Sequence, residues 1–401
     1  MSFKLFMPHV FMEKSASRAF IPYPEVPVEH ASKGPLSGLR FAVKDLYDVK
    51  GYPTSAGNPM MLARSGIKTA TAPAIQKLLD AGAAFVGKTV TDELAYSMAG
   101  SNAHFGAPVN GGAPGRLTGG SSSGSASAVS CGLADFAIGS DTGGSVRCPA
   151  SQCGLFGIRP THGVISLNGC QPLSPSFDTL GWFARDIDVF ARVGSVLFGR
   201  EPKLASSVRL IAARDVMTLF GREVDEALAP AYERAQALFG AAQTGALAPL
   251  GFDGDFASFR RIQAQEAWSS DGEFIEACHP VLGPGVSERF AFAKEMSSKD
   301  LSADEDRRSH VREALSDALG SDGIMMLPTM PGAGPLRSSS EAELESFRRE
   351  ASLSFCHGGL SGFPWITIPA GEIEGAPIGL SLIGPEGSDL RLIAAAQAFV
   401  G

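Results

Sequence analysis

The sequence predicts an α/β protein built on a substantial β-sheet. Strand-like and helix-like stretches alternate near the N-terminus, and apolar stretches punctuated by glycine return near the C-terminus. Residues 40–45 (RFAVKD) partly alternate apolar and polar side chains, which indicates a short strand. Residues 71–81 have helical spacing with Pro73 in the first turn, and Gly82 is typical of a helix end. Residues 84–88 (AFVGK) then indicate a second strand.

The remainder of the chain changes character along its length. Residues 105–167 are rich in Gly, Ser and Ala, and within them the strand-like residues 136–138 follow a stretch typical of a closely packed small-residue helix. Residues 205–320 carry most of the helical stretches, for example 224–239 and 303–319, and are predicted to form a helical cap region beside the sheet. Residues 357–399 return to strands and end in a short helix. We expect a single domain over residues 1–401.

Composition restricts the class of partner. Of the 401 residues, 44% are apolar and 19% are charged, which is an ordinary globular balance. A net charge of −8 without a basic run argues against a nucleic-acid or anionic-membrane partner. No apolar run is long enough to span a membrane, and residues 3–7 are too short an apolar run for a signal peptide. Six sparse cysteines suit a reducing compartment, so we expect a cytoplasmic protein.

A glycine- and serine-rich run at residues 119–125 (GGSSSGS) admits several interpretations. A flexible linker is the simplest, but this run leads directly into apolar structure. A phosphate-binding loop is disfavoured because no GK[ST] sequence follows. A nucleophile elbow, G-x-S-x-G, matches residues 120–124 with Ser122 as nucleophile, although residues 110–118 hold no strand before it. An esterase of the α/β-hydrolase type therefore stays an alternative.

The remaining interpretation is a serine nucleophile that is activated by a lysine. A serine hydroxyl needs a base, and a lysine can serve where burial keeps its amine neutral. Lys44 follows Phe41-Ala42-Val43, which suits burial. Ser121 can relay a proton between Lys44 and Ser145. Gly143-Gly144 permits a tight turn before Ser145 whose backbone amides would stabilise an oxyanion.

Taken together, these stretches closely resemble the amidase signature family of amide hydrolases. The resemblance covers roughly residues 35–400, and Ser121 and Ser145 lie 24 positions apart, as the two catalytic serines of that family do. One departure is Ser123, where the family often has glycine. The stretches that carry the resemblance are FAVKD at 41–45, GGSS at 119–122, DTGGS at 141–145, FGIRPTHGVIS at 156–166 and PAGEIEGAPIGLSLIGP at 369–385.

The resemblance implies a fold and a mechanism. The fold would be a large mixed sheet flanked by helices, with a variable helical region that shapes the substrate pocket. Ser145 would be the nucleophile, Ser121 the relay after a cis peptide bond, and Lys44 the general base and then the acid. Arg147 would be structural and paired with Asp141. The amides of the oxyanion hole would be those of Thr142, Gly143, Gly144 and Ser145.

The resemblance also bears on the substrate. Residues 92–110, 174–186 and 279–290 are most similar to plant-type enzymes that hydrolyse indole-3-acetamide, so we expect a small carboxamide, of the aryl- or indole-acetamide kind, to be converted to a carboxylate and ammonia. The amidase subunit of a tRNA-dependent amidotransferase is an alternative, disfavoured by the short chain and the missing basic run. The candidate substrate-binding residues are Met98, Gly100 and Trp268.

These interpretations also define the expected partners. The only expected ligand is the small-molecule amide substrate. No His, Cys and Asp cluster has metal-ligand spacing, so we expect neither a metal nor another cofactor. The sequence leaves open whether the protein forms a homodimer.

Overall fold

The computed structural model describes residues 12–204 and 207–401. The short apolar run at residues 3–7 and the first two residues of the predicted cap region lie outside the described residues. Within the described ranges, ten strands pair into one mixed sheet in the order β2-β1-β3-β5-β4-β9-β10-β8-β6-β7. The strands are β1 (Arg40–Lys44), β2 (Ala84–Thr89), β3 (Phe136–Asp141), β4 (Phe156–Arg159), β5 (Thr179–Ala184), β6 (Arg209–Ala213), β7 (Gln243–Gly245), β8 (Gly323–Pro328), β9 (Trp365–Ile373) and β10 (Ala376–Ile383).

Helices flank this sheet, and one short 3-10 helix, Glu93–Ala95, follows β2. The prediction of an α/β protein with a large mixed sheet flanked by helices is therefore confirmed. The α-helices are α1 (Lys14–Ser17), α2 (Pro59–Ser65), α3 (Pro73–Asp80), α4 (Ser123–Ser130), α5 (Arg147–Cys153), α6 (Ile187–Phe198), α7 (Arg214–Phe220), α8 (Arg222–Phe239), α9 (Phe252–Cys278), α10 (Val286–Met296), α11 (Ser302–Leu319), α12 (Glu341–Ser361) and α13 (Asp389–Val400).

The region of residues 205–320 contains more than helices. It supplies α7 to α11, but it also supplies β6 and β7, which the sequence analysis did not predict. Both strands belong to the sheet, because β6 pairs in parallel with β7 and with β8. The later part of the region leaves the sheet, and there α9 packs against α10, α11 and α12. The role of these helices as a substrate cap stays a prediction.

Alternation along the central strands divides the core between two faces of the sheet. In β1, Phe41 and Val43 belong to one buried apolar cluster, whereas Ala42 belongs to the other. In β3, Phe136 and Ile138 likewise belong to the first cluster and Ala137 belongs to the second. Successive side chains of a strand point to opposite faces, which explains this division. In β1 and β3, one face therefore carries large side chains and the other carries alanine.

Helix α4 packs on the small-residue face, which explains why its sequence is SGSASAVS. Every residue of the helix is buried. Gly124 allows the closest approach, because a Cβ atom there would lie 2.4 Å from the Ala19 carbonyl oxygen and 2.5 Å from the Val90 amide nitrogen. Helix α4 is thus the closely packed small-residue helix that the composition predicts, and its N-terminus lies against the sheet.

The sheet topology brings the predicted catalytic residues to one edge. Strands β1 and β3 are parallel neighbours, with Phe41 opposite Phe136 and Val43 opposite Ile138. Their carboxyl ends therefore lie side by side, and ligands of α/β proteins bind at such ends. Lys44 is the last residue of β1, and the loop that carries Ser145 follows β3 directly.

Candidate active site

Lys44 is completely buried at the end of β1. Its Nζ atom donates to Ser121 Oγ at 2.7 Å and to Ser140 Oγ at 2.9 Å. No carboxylate in the described residues lies within ion-pair distance of this amine. The lysine is therefore surrounded by neutral hydroxyl groups, which do not stabilise an ammonium ion as a carboxylate does.

Burial lowers the pKa of Lys44 to about 8, against the opposing effect of Asp92, the largest contribution that raises it. At pH 7 the amine is then neutral in about one molecule in ten, and the neutral fraction rises steeply with pH. A lysine with this pKa can both accept and return a proton near neutral pH. The burial that the sequence predicts for Lys44 is present.

Ser121 lies between Lys44 and the start of helix α4. The Gly120–Ser121 peptide bond is cis, as the family resemblance implies. The carbonyl oxygen of Ser121 accepts from the amide of Asp92 at 3.0 Å and from the hydroxyl of Thr91 at 3.1 Å. These contacts fix the backbone of Ser121 while its hydroxyl faces Lys44.

The carboxyl group of Asp92 lies beside this segment. It is fully buried, and its Oδ2 atom accepts from the amide of Gly100 at 3.0 Å. A Cβ atom on Gly120 would lie 2.2 Å from the same oxygen, so only glycine fits there. Burial raises the pKa of Asp92, whereas the Gly100 amide and the charge of Lys44 lower it. Asp92 is thus the acidic group that acts most strongly on Lys44, and sequence analysis did not single it out.

Ser145 follows β3 on a tight turn. Gly144, directly before it, has φ +117°, and a Cβ atom there would lie 2.4 Å from Phe355, so both backbone and packing require glycine. The Ser145 carbonyl accepts the Ser122 amide at 3.3 Å, which places Ser145 next to the residue after Ser121. Among the described residues, the Ser145 hydroxyl has no hydrogen-bond partner, so the structure does not join it to Ser121 by a hydrogen bond.

Asp141 organises the turn that carries Ser145. Its carboxylate accepts from the amides of Gly144 and Val146 at 3.0 Å each, and it pairs with Arg147 at 2.8 Å. Burial alone would raise the pKa of Asp141, but the guanidinium groups of Arg147 and Arg159 hold it well below its usual range. The predicted pairing of Arg147 with Asp141 is confirmed.

Three of the four predicted oxyanion donors are available. Among the described residues, the backbone amides of Thr142, Gly143 and Ser145 have no hydrogen-bond partner. The amide of Gly144 differs, because it donates to Asp141. Gly144 therefore shapes the turn and does not offer a free donor, which corrects the expectation for that residue.

A cavity opens above Ser145. Its floor includes Thr142, Gly143 and Ser145, so that the unpartnered amides lie at the wall of the cavity. Its sides combine apolar and aromatic side chains with polar ones, and they come from the segments after β2 and before β5 and from helices α9, α10 and α12. The apolar side chains are Tyr96, Met98, Leu173, Phe256, Phe259 and Phe292. Of these, only Met98 is among the residues predicted from the sequence.

The two other predicted substrate-binding residues do not line this cavity. Gly100 is buried, and a Cβ atom on it would lie 2.7 Å from Gly119 backbone atoms. Trp268 lies on α9, where its ring packs against Gly272 and lies 5.3 Å below the ammonium group of Lys294. Both positions serve packing in this structure. The identity of a residue alone does not show which side of a helix faces the cavity.

The nucleophile-elbow interpretation finds no support. Ser122 is fully buried, and its hydroxyl donates to the Ser140 carbonyl and accepts the Ser140 amide, both at 3.2 Å. In the described chain, residues 110–121 form no strand that would lead into an elbow. The side chain of Ser122 therefore ties α4 to β3 instead of facing a substrate.

Neither a metal cluster nor a membrane-spanning helix is present among the described residues. No cluster of three or more His, Cys, Asp and Glu side chains in residues 12–204 and 207–401 is arranged to hold a metal ion. In the same ranges, no helix has both the length and the apolar character that crossing a membrane requires.

Comparisons with known proteins agree with this fold. The family model described as Amidase matches residues 10–238. Amidase 1 of Arabidopsis thaliana is 39% identical over 93% of this chain and 96% of its own length. Amidase 1 of Oryza sativa subsp. japonica is 36% identical over 90% of this chain and 89% of its own length. A crystal structure of an amidase is 31% identical, covers 92% of this chain and 86% of that one, and superposes with a TM-score of 0.82.

The fold and the matches define an enzyme of the hydrolase class. The chain belongs to the amidase family.

Proposed function

We propose that this amidase-family enzyme hydrolyses a small carboxamide to a carboxylate and ammonia through an acyl-enzyme on Ser145. One observation carries the proposal: a buried lysine of lowered pKa is hydrogen-bonded to Ser121, beside a cavity whose floor holds Ser145. A base, a relay hydroxyl and a nucleophile that faces a cavity are the parts that acyl transfer by serine requires.

In the first half of the reaction, Ser145 Oγ attacks the amide carbonyl carbon. Its proton passes to Ser121 while the Ser121 proton passes to the neutral amine of Lys44. Hydrogen bonds between catalytic groups are often long in a free enzyme and shorten when substrate binds, so the open Ser145 hydroxyl is compatible with this relay. The tetrahedral oxyanion would accept from the amides of Thr142, Gly143 and Ser145, which have no other partner among the described residues.

The second half of the reaction reverses the proton path. Lys44 returns its proton through Ser121 to the leaving nitrogen, the C–N bond breaks and ammonia departs. Water then attacks the acyl carbonyl and passes a proton through Ser121 to Lys44. The bond between the acyl carbon and Ser145 Oγ breaks, Ser145 Oγ takes this proton back through Ser121, and the acid product leaves as the carboxylate after losing its own proton to solvent. Lys44 thus acts first as base and then as acid, for which a pKa near the working pH is suited.

The substrate that we propose is an aryl- or indole-acetamide. Support comes from the aromatic walls of the cavity, which include Tyr96, Phe256, Phe259 and Phe292. Such walls favour a flat apolar group through burial and offset ring contacts. The similarity of residues 92–110, 174–186 and 279–290 to plant-type enzymes acting on indole-3-acetamide points the same way.

The setting that we propose is cytoplasmic. In the described residues all six cysteines are free thiols, which suits a reducing compartment. Cell fractionation with an antibody against the chain tests this assignment. A homodimer stays a prediction, and light scattering on the purified chain decides it.

The deciding experiment measures ammonia release from indole-3-acetamide, phenylacetamide, benzamide and malonamide. We expect release by the wild type, loss with Ser145→Ala, and retention of a large part of the activity with Ser122→Ala, the matched control. A fluorophosphonate probe should label Ser145, and mass spectrometry of the labelled peptide locates the adduct. Release that survives Ser145→Ala, or an adduct on Ser122, would overturn the proposal.

A further inference from the structure

Three arginine side chains line the cavity above Ser145. Arg260 comes from α9, Arg289 from α10 and Arg348 from α12, so three separate helices bring them together. The same three residues also line a neighbouring groove that opens outward from the cavity. They therefore stand where the substrate cavity meets the outer groove. No Asp or Glu among the described residues lines the inner cavity.

The charges of these arginines are only partly compensated. Glu345 accepts from Arg348 Nε at 2.8 Å and lies 3.9 Å from Arg289 Nη1. Arg260 has no carboxylate within ion-pair distance in the described chain, and its guanidinium instead lies 4.2 Å from the ring centre of Phe292. Glu345 thus lies within ion-pair distance of two of the three guanidinium groups, and the other nearby glutamates, Glu93, Glu288 and Glu341, line the outer groove and not the inner cavity.

This arrangement disfavours the charged form of Arg289. Burial first, and then the nearby charge of Arg348, lower the pKa of Arg289 to about 10. The side chains of Arg289 and Arg348 are only 16% and 23% exposed. Like charges that are partly removed from water repel one another more strongly than in bulk solvent. An anion at their meeting point would relieve this repulsion, and guanidinium groups bind carboxylates through two parallel hydrogen bonds.

We infer that the substrate of this enzyme carries a carboxylate at the end remote from its amide, and that Arg260, Arg289 and Arg348 bind it. This inference rests on the proposed function, and it adds a substrate class to it. The amide would lie over Ser145, an apolar spacer would contact the aromatic walls, and the carboxylate would reach the three guanidinium groups. The arginines bind and select the substrate, and they take no part in the proton transfers.

The experiment compares two amides that differ only in this charge. They are 4-(carbamoylmethyl)benzoate, which has the remote carboxylate, and phenylacetamide, which lacks it. We expect kcat/KM to be at least about ten-fold higher for the charged amide, mainly through KM, since charge-assisted hydrogen bonds are roughly twice as strong as neutral ones. Added salt should reduce the preference, because salt screens charges at an open cavity.

Arg260→Gln is the variant of choice, because Arg260 forms no ion pair whose loss would leave a buried carboxylate unpaired. It should lower the preference by about five-fold, which is the upper range for a partly exposed ion pair. Arg349→Gln is the matched control. Arg349 is also on α12, but it pairs with Asp253 at 3.0 Å and lines neither the cavity nor the groove. That control should leave the preference unchanged.

Binding separates failure of this inference from failure of the proposed function. Calorimetry with Ser145→Ala, alone and with Arg260→Gln or Arg349→Gln added, measures the affinity for both amides without turnover. Tighter binding of the charged amide, lost with Arg260→Gln and kept with Arg349→Gln, supports the inference even if neither amide is hydrolysed. Equal binding, or efficient hydrolysis of phenylacetamide with no preference for the charged amide, overturns the inference and leaves the proposed amidase chemistry in place.

Discussion

The Nζ atom of Lys44 lies 2.7 Å from Ser121 Oγ, and both residues are fully buried. The second partner of the amine is the hydroxyl of Ser140. Because neither partner is charged, the surroundings favour a neutral amine over an ammonium ion. This single relationship connects the folding of β1 to the chemistry proposed for Ser145, and it determines how the enzyme should respond to pH.

We expect kcat/KM to rise with pH with a midpoint of about 8. The base must be neutral to accept a proton, and the pKa of Lys44 is about 8, so the active fraction increases as pH passes through this value. Asp92→Asn should move the midpoint to lower pH, because Asp92 is the group that contributes most to raising the pKa of Lys44. Rates of ammonia release between pH 6 and 10 measure both effects.

The control for this shift is Asp253→Asn. The side chain of Asp253 is 82% exposed and lies on the surface, so its replacement should leave the midpoint unchanged. A flat profile between pH 6 and 10 would contradict the role of Lys44 as base. A shift to higher pH in Asp92→Asn would contradict the electrostatic relationship between these two residues.

We expect Lys44→Met to abolish turnover and yet to stabilise the fold at pH 7. A pKa of about 8 in place of 10.5 means that a protonated Lys44 costs the folded state about 3 kcal/mol at roughly 1.4 kcal/mol per pH unit. Lys44→Met removes this cost, but it also removes two hydrogen bonds, whose loss destabilises the folded state by about 2 kcal/mol. The net gain should be about 1 kcal/mol at pH 7, measured by urea unfolding.

The sign of this effect changes with pH. Between pH 8 and 10.5 the unfolded chain holds a proton on Lys44 that the folded chain has released, so the wild type gains stability as pH rises. The advantage of Lys44→Met should therefore disappear by about pH 10. Lys88→Met is the contrasting variant, because Lys88 is equally buried but pairs with Asp45 at 2.7 Å. It should destabilise the protein at every pH from 5 to 9 by about 3–5 kcal/mol.

Local patterns in the sequence were sufficient to predict much of the central sheet. The strand predicted at 40–45 is β1, and the helix predicted at 71–81 is α3, Pro73–Asp80. Apolar residues recur in these elements with the period of a strand or a helix, and residues typical of turns stand at the ends of each element. Strands β6 and β7 were missed, because β7 has only three residues and both are embedded among long helices. Their place in the sheet depends on pairing with β8, which is remote in sequence.

The residues of the candidate site also fall into two groups, those that the sequence predicts and those that it does not. Lys44, Ser121 and Ser145 stand in recognisable sequence stretches, so they could be named before the fold was known. Ser140 and the three cavity arginines could not, because their roles depend on contacts between distant segments. Arg348 and Arg260, for example, line one cavity only because α12 packs against α9. The spacing of these residues along the chain carries no information on such a shared lining.

The close packing of α4 gives a prediction about stability alone. Gly124→Ala should destabilise the protein by about 1–3 kcal/mol, because the added Cβ atom would lie within 2.5 Å of two backbone atoms that have little freedom to move. Gly115→Ala is the control, since nothing lies within 4 Å of a Cβ atom there. Thermal unfolding of both variants measures the difference. Equal melting temperatures would show that α4 can shift on the sheet to accept a larger residue.

The buried pair of Asp141 and Arg147 gives the last prediction. Arg147→Met should lower the free energy of unfolding by about 3–5 kcal/mol, because it leaves the buried Asp141 carboxylate with Arg159, at 3.4 Å, as its remaining cationic partner. Since Asp141 also binds the amide of Gly144, the turn before Ser145 should lose its geometry and turnover should fall with stability. Arg222→Met removes an arginine that is 89% exposed and should change stability by less than about 0.5 kcal/mol. Urea unfolding and ammonia release measured on both variants decide the matter: an Arg147→Met enzyme as stable and active as Arg222→Met would show that the turn holds without this ion pair.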